Sequence, residues 1–162
     1  MTAELNIRVA RPTDAEALVA LLDDTYRSTW RPHLRPEAAE RFEREDRTNR
    51  YVAEYIDQFW IAARDHTLCG MVHWRDDFLE ALHVSTSHQG QGIGAALLYV
   101  AETRMAMAGV SLARLETDTF NLRSRDFYRK HSYQEVAEYP DLEWDSGFTT
   151  VLLHKSLLKS ST

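Results

Sequence analysis

Gln89-Gly90-Gln91-Gly92-Ile93-Gly94-Ala95 is the stretch on which the reading of this chain turns. Before it, Phe78 to Val84 has the residues of a strand. After it, a helix is expected from about Gly92 to Ala108, with Gly109 as the residue just past its end. Three glycines at alternate positions remove the β-carbons that would keep a ligand away from the backbone. The first helical turn then offers unpaired N–H groups and the positive end of the helix dipole, which together hold phosphate. Two readings stand on these residues alone. Either the segment binds a phosphorylated ligand, or it is a tight turn whose glycines allow close packing.

Upstream of Phe78, Phe59-Trp60-Ile61-Ala62-Ala63 and Leu68 to Trp74 are rich in strand formers. Arg64-Asp65-His66-Thr67 supplies the turn between them, and Asp76-Asp77 a second turn into Phe78–Val84. This is an antiparallel series. Closer to the N-terminus, Ile7 to Ala10 is a short strand. Thr13-Asp14-Ala15-Glu16 then forms a capping box with Thr13 as N-cap. Leu18, Leu21 and Leu22 follow at helical spacing, which predicts a helix from about Asp14 to Tyr26. Trp30, Pro32 and Pro36 interrupt the chain, and Pro36 suits the first position of another helix. Glu37 to Gln58 is charged early and gains an apolar face later, through Val52, Tyr55, Ile56 and Phe59, as one helix or two.

Downstream of the glycines the pattern alternates. Leu112 to Thr117 reads as a strand, Leu122 to His131 as a short helix, and Gln134 to Glu138 and Phe148 to His154 as closing strands. Antiparallel strands with two strand–helix–strand crossovers make an α/β or α+β domain with a mixed sheet. The 162 residues, with 44% hydrophobic and 27% charged, suit one domain over 1–162 with one core. No apolar run reaches roughly 18 residues and no basic-then-apolar leader opens the chain, so a soluble, cytoplasmic protein is expected. The single cysteine, Cys69, lies in a strand and is expected to be a buried, chemically idle thiol. A net charge of −6 argues against nucleic acid, which asks for a basic face, and is compatible with a cationic substrate.

The class of phosphorylated ligand narrows by exclusion. A P-loop needs a Gly-Lys-Ser/Thr ending, and no lysine follows these glycines. Gly90-x-Gly92-x-x-Ala95 does satisfy the short dinucleotide pattern, with Glu116 or Asp118 as the ribose-binding acid. Against that, the pattern follows antiparallel strands instead of opening a parallel array, and too little chain is left for a second mononucleotide half.

Leu82-His83-Val84, then Gln89-x-x-Gly92-x-Gly94 and Leu97-Leu98, resembles the pyrophosphate-binding motif of the GNAT (Gcn5-related) acetyltransferases. About thirty residues later, Asn121-x-x-Ser124-x-x-Phe127-Tyr128-x-x-His131-Ser132-Tyr133 resembles that family's second signature. The resemblance is specific from about Phe78 to Tyr133 and architectural before that. It implies a mixed, mostly antiparallel sheet flanked by helices, and an acetyl-coenzyme A-dependent N-acetyltransferase that acts by direct transfer in a ternary complex. The backbone around Gln89, Gly90, Gln91, Gly92, Ile93, Gly94 and Ala95 would hold the coenzyme A pyrophosphate. Leu82, His83 and Val84 would pair with the pantetheine arm as an added strand. Asn121 and Ser124 would contact the cofactor. Tyr128 matches the tyrosine that protonates the departing thiolate, a role suited to a group that keeps its proton at neutral pH. No metal is implied. Departing from the pattern, Ser132 stands where the family usually has glycine, at an expected cost of about 1 kcal/mol if the turn is left-handed.

The incoming amine must lose a proton. Glu80, in the Phe78–Val84 strand, is the preferred general base or water-orienting group, and burial there is what would suit it to the task. His83 competes with it and His73 follows. A backbone N–H near Val84 is the expected donor to the developing oxyanion. The acceptor is expected to be a small-molecule or peptide primary amine, with no membrane partner and with homodimerisation open. Asp141, Glu143 and Asp145 could draw in its charge, and Trp30 and Trp144 could cover it. A cofactor-binding module without turnover, or a small dinucleotide-binding protein, is the alternative.

Overall fold

The structure, a computed structural model, describes residues 3–158. In chain order the elements are β1 (Leu5–Val9), α1 (Ala15–Thr25), α2 (Pro36–Arg44), α3 (Arg47–Tyr55), β2 (Phe59–Arg64), β3 (Thr67–Arg75), β4 (Phe78–Val84), α4 (Ile93–Met107), β5 (Leu112–Asp118), α5 (Leu122–Lys130), β6 (Gln134–Pro140) and β7 (Thr149–Ser156). Seven strands form one mixed sheet in the order β1-β2-β3-β4-β5-β7-β6, mostly antiparallel. The chain divides into two compact units, Met1–His73 with Ala81–Leu98 and Trp74–Glu80 with Tyr99–Thr162. No described helix is long and apolar enough to cross a membrane.

In the first unit β1 runs antiparallel to β2, from Leu5 opposite Arg64 to Val9 opposite Trp60. The β2–β3 hairpin closes where expected, because Asp65 and His66 both adopt positive φ, 52° and 62°. Two successive left-handed residues match the twist of the strands they join. Leu18, Leu21 and Leu22 of α1 pack with Val52 of α3, Phe59 and Ile61 of β2, and Met71 of β3. The charged segment after Pro36 is two helices, separated where Asp46 adopts φ 52°. Pro36 stands at the start of α2, where its missing N–H costs nothing.

The entry to α1 differs from the expected capping box. Pro12–Asp14 forms a separate 3-10 turn, and Thr13 lies inside it, not before the helix. The carboxylate of Asp14 accepts from the Arg11 backbone N–H at 2.7 Å and from the Arg8 guanidinium at 2.8 and 3.0 Å. A charge-assisted, forked contact outcompetes a neutral hydroxyl cap. At its other end α1 runs into a π-helical turn over Tyr26–Trp30.

In the second unit β7 lies between β5 and β6 and is antiparallel to both. Beside β6, Arg125 forks onto Glu135 at 2.8 and 2.9 Å and Arg129 joins it at 2.9 Å. These two cations hold the Glu135 carboxyl down at about 2. Glu102 of α4 accepts from the Tyr133 hydroxyl and from Lys155, both at 2.8 Å. Ser132 stands at φ 73°, as its place in the motif implied, while the Tyr133 N–H closes the α5 terminus onto the Tyr128 carbonyl at 3.0 Å.

Candidate active site

The glycine segment is open on its outer side. Gly90 and Gly92 adopt φ 79° and 81°, and a β-carbon on either would meet nothing within 4 Å. Backbone conformation, with free space beside it, explains glycine at both positions. The first intrahelical bond of α4 runs from the Ala96 N–H to the Gly92 carbonyl at 3.1 Å. The N–H groups of Ile93, Gly94 and Ala95 precede it, so they have no partner along the helix. Gln89 turns back, its amide donating to the Val84 carbonyl at 3.2 Å. That bond engages one of the backbone groups expected to meet the pantetheine arm.

The side chain of Gln91 accepts from the Arg64 guanidinium at 2.6 Å. Arg64 Nε is sealed from solvent and has no partner among the described residues. A cation is thus brought to the glycine segment from the end of β2. Sequence reading took Arg64 only as part of a turn, and nothing in its local pattern marks the contact. Gly70 was equally silent. A β-carbon there would lie 2.9 Å from Leu97 Cδ1, 3.1 Å from Ile93 Cγ2 and 3.1 Å from the His83 carbonyl, so glycine lets α4 seat against β3 and β4.

On β4 the parallel ladder with β5 pairs Phe78 with Arg114 and Leu79 with Leu115, and ends there. Leu82 and Val84 are half-buried. Glu80 lacks the burial expected for it. The residue is exposed, and its carboxylate accepts from Arg75 Nε at 3.0 Å. His83 is held more closely. Its Nδ1 lies 2.9 Å from the Thr25 hydroxyl, and the Trp30 ring tilts against the imidazole at 5.6 Å between centroids. Burial pushes the His83 imidazole down to about 4, so it is neutral at neutral pH. The preceding residue of α1 is also engaged, for Asp24 accepts from both the N–H and the hydroxyl of Thr86, at 2.9 and 3.0 Å. The last turn of α1 is therefore tied to β4 and to the segment after it.

Other candidates fall to structural roles. His73 is 1% exposed and ringed by Tyr51, Tyr55 and Phe59. Its Nε2–H donates to the side-chain Oε1 of Gln58 at 2.8 Å, and its Nδ1 accepts from the Tyr51 hydroxyl. Both nitrogens are used, which leaves no lone pair for catalysis. Cys69 is buried, as expected, and burial raises its thiol above the ordinary value. The Ser85 N–H, the backbone donor that follows Val84, is bonded to the Cys69 carbonyl at 2.9 Å, so it is not free for an oxyanion.

Asn121, Ser124 and Tyr128 lie in the second unit. Asn121 caps α5, its Oδ1 accepting from the Ser124 N–H at 3.1 Å, and the Ser124 hydroxyl meets that of Thr117 at 2.9 Å. Tyr128 is 8% exposed and packed edge-on against Phe127 and Tyr133. Burial raises its phenol well above the ordinary value. Its hydroxyl has no hydrogen-bond partner among the described residues and is not among the sealed, unpartnered atoms. A proton donor is thus held in a mostly buried place without an acceptor among the described residues. Of the acidic residues after β6, Asp141 is spent on its own loop, accepting from the Trp144 N–H at 3.2 Å and the Ser146 hydroxyl at 2.6 Å. Glu116 on β5 has its carboxyl raised, chiefly by desolvation and then by the charges of Glu143, Asp141 and Glu80 against a lowering bond from Tyr139.

The sequence model of the acetyltransferase (GNAT) family matches residues 15–133. The chain belongs to that family. Solved structures agree in fold. The paiA N-acetyltransferase of Thermoplasma acidophilum, in complex with coenzyme A, superposes with a TM-score of 0.77 at 22% identity over 94% of this chain and 99% of that one. An N-acetyltransferase of Staphylococcus aureus gives 0.72 at 15% identity over 96% and 100%. The N-acetylglutamate synthase of Neisseria gonorrhoeae, complexed with coenzyme A and N-acetyl-glutamate, gives 0.70 at 20% identity over 98% of this chain and 36% of that one. At these identities the likeness establishes the fold. No curated protein matches the chain in sequence. For this GNAT chain the dinucleotide reading falls, because the glycine segment follows the antiparallel β1–β2–β3 series and the β4–β5 pair is not continued into a parallel array, β7 being antiparallel to β5.

Proposed function

We propose that the chain is a single N-acetyltransferase domain that moves an acetyl group from acetyl-coenzyme A directly to a primary amine, on a small molecule or a peptide. The observation that carries the cofactor assignment is the run from β4 to α4. Two left-handed glycines with open space beside them precede three helix N–H groups without helical partners, and Arg64 brings a cation to the same segment. That donor set suits a pyrophosphate. The strand before it has a ladder on the β5 side that ends at Leu79, so the Leu82–Val84 backbone could accept an extended arm as an added strand. The residues present fit coenzyme A.

When bound, acetyl-coenzyme A supplies an acyl carbon activated as a thioester. The protein's own groups do the rest. Tyr128, its proton retained by burial and its hydroxyl unpartnered, is the general acid for the departing sulfur. Asn121 and Ser124 hold the start of α5 and, in this reading, line the cofactor's reactive end. Glu80, engaged by Arg75, serves to orient water and draw in a cationic amine, not to take the proton itself.

Calorimetric titration with acetyl-coenzyme A, with NADH in parallel, tests the assignment. The expected result is micromolar binding of acetyl-coenzyme A, little of NADH, and thiol release once a panel of amines is added. Binding of NADH alone would overturn it.

A further inference from the structure

Among the described residues the Tyr128 hydroxyl has no hydrogen-bond partner, so packing sets the direction of its phenol. Two rings lie against it, those of Phe127 and Tyr133. Phe127 is its neighbour in α5 and moves with the same helical turn. Tyr133 is anchored outside that helix. It is brought back onto Tyr128 because Ser132 takes φ 73° and the Tyr133 N–H donates to the Tyr128 carbonyl at 3.0 Å. Its ring then meets that of Tyr128 edge-on, at 5.5 Å between centroids. The Tyr133 hydroxyl donates to Glu102 Oε2 of α4 at 2.8 Å, and Lys155 Nζ of β7 donates to Glu102 Oε1 at 2.8 Å. The roles along this chain are unambiguous. An ammonium only donates and a carboxylate only accepts, so the phenol must give its proton to Glu102. Burial, then the Glu102 charge and hydrogen bond, raises the Tyr133 phenol, which keeps its proton at neutral pH. Tyr128, Tyr133, Glu102 and Lys155 all lie in the second unit. The Glu102–Lys155 pair is largely shielded from water, and an ion pair so placed offsets most of its own desolvation cost. What the arrangement supplies is direction.

We infer that Tyr133, tied down by Glu102 and Lys155, is the positioning residue that aims the Tyr128 phenol at the departing sulfur. The inference rests on the acetyltransferase reading above, with Tyr128 as its acid. In the step concerned, the amine nitrogen bonds to the acetyl carbon and its surplus proton passes to solvent. The carbon–sulfur bond breaks with its electron pair on sulfur, which takes the Tyr128 proton. Solvent then returns a proton to the Tyr128 phenolate. A reacting group displaced by about 1 Å loses much of its effect, so the seat of the ring matters as much as its proton. Without the Tyr133 hydroxyl the Tyr133 ring is free to rock, and the Tyr128 ring packed on its edge follows.

A double-mutant cycle on turnover tests this. Tyr133→Phe keeps the ring and leaves Glu102 paired with Lys155, so the fold is expected to survive it. Its kcat should fall by roughly threefold to tenfold at unchanged affinity for acetyl-coenzyme A. The loss should shrink on a thioester whose thiol is more acidic, as a purely structural defect would not. In a Tyr128→Phe background the same substitution should change kcat by less than about twofold, because a residue that acts only through Tyr128 then has nothing to act on. Glu102→Leu, which deletes the acceptor, is expected to repeat both results; if it does not fold, Tyr133→Phe decides alone. Equal losses in the two backgrounds, or native kcat in Tyr133→Phe, overturn the inference and leave Tyr128 as the acid. Native turnover in Tyr128→Phe overturns the acid and its positioning together. A wild-type protein that binds no acetyl-coenzyme A overturns the acetyltransferase reading itself.

Discussion

Gly70 lies so close beneath Leu97 that a β-carbon on the glycine would stand 2.9 Å from Leu97 Cδ1. The leucine methyl could swing aside, but Ile93 Cγ2 and the His83 carbonyl oxygen close the same space at 3.1 Å, and the carbonyl belongs to backbone. The first turns of α4, which carry the proposed phosphate-binding groups, therefore owe their seat on the sheet to one missing methyl. Gly70→Ala is expected to destabilise by about 1–3 kcal/mol, as overpacking does. Thermal denaturation checks it, and an unchanged midpoint would mean that the contact yields freely.

Ser132→Gly should act in the opposite direction. Ser132 is held at φ 73°, and a left-handed residue with a β-carbon costs roughly 1 kcal/mol or more. Glycine removes that strain but gives the unfolded chain more freedom, which returns part of the gain. The net expectation is a rise in melting temperature of roughly 1–3 °C for a chain of this size. A fall would show that the Ser132 side chain contributes something beyond conformation.

Glu135 should set part of the acid sensitivity. Its folded carboxyl titrates at about 2 against an ordinary value of 4.5, because Arg125 and Arg129 both bond to it. A carboxyl depressed on folding stabilises fully above its unfolded value, and that stabilisation is lost as pH falls toward the folded value. The window is thus from about pH 4.5 down to about 2. Glu135→Gln is expected to lower stability at pH 7 and to flatten its decline across that window. Denaturant midpoints at pH 7 and pH 3 would show it, and parallel declines in the two proteins would refute it.

The parts of this protein that were legible in the sequence are those fixed by local backbone chemistry. Phe78–Val84 was read to the residue, and the left-handed position of Ser132 followed from its place in the second motif. The helix after the glycines was placed within one residue at each end. Errors came where one local pattern met a stronger distant partner. Thr13 has a capping-box sequence, yet Arg8 commits Asp14 to a different turn. Glu80 has the right strand but a neighbouring arginine and an exposed position. Arg64, Gly70 and Thr25 were missed altogether, because each acts across a long stretch of chain: on Gln91, on Leu97 and on His83. No periodicity or spacing encodes such pairs. They exist only once the sheet has brought the segments together.

Tyr128 offers the most direct test of the chemistry. Its phenol is raised by burial, so the proton is present at any pH at which the protein is handled, and no described protein group accepts it. A hydroxyl kept in that state has two accounts: donor to a leaving sulfur, or the polar edge of a packing residue between Phe127 and Tyr133. Tyr128→Phe separates them, since phenylalanine preserves the ring contacts at 5.1 and 5.5 Å and deletes only the oxygen. If the hydroxyl is the acid, acetyl-coenzyme A affinity stays within about twofold while turnover falls by roughly tenfold or more, equivalent to about 1.4 kcal/mol in the barrier. The loss should be smaller with a thioester whose thiol is more acidic, because a better leaving group needs the proton less. Steady-state rates on both donors, beside calorimetric affinity, give the answer. Unchanged turnover on the natural thioester would leave Tyr128 as a packing residue and place the acid elsewhere.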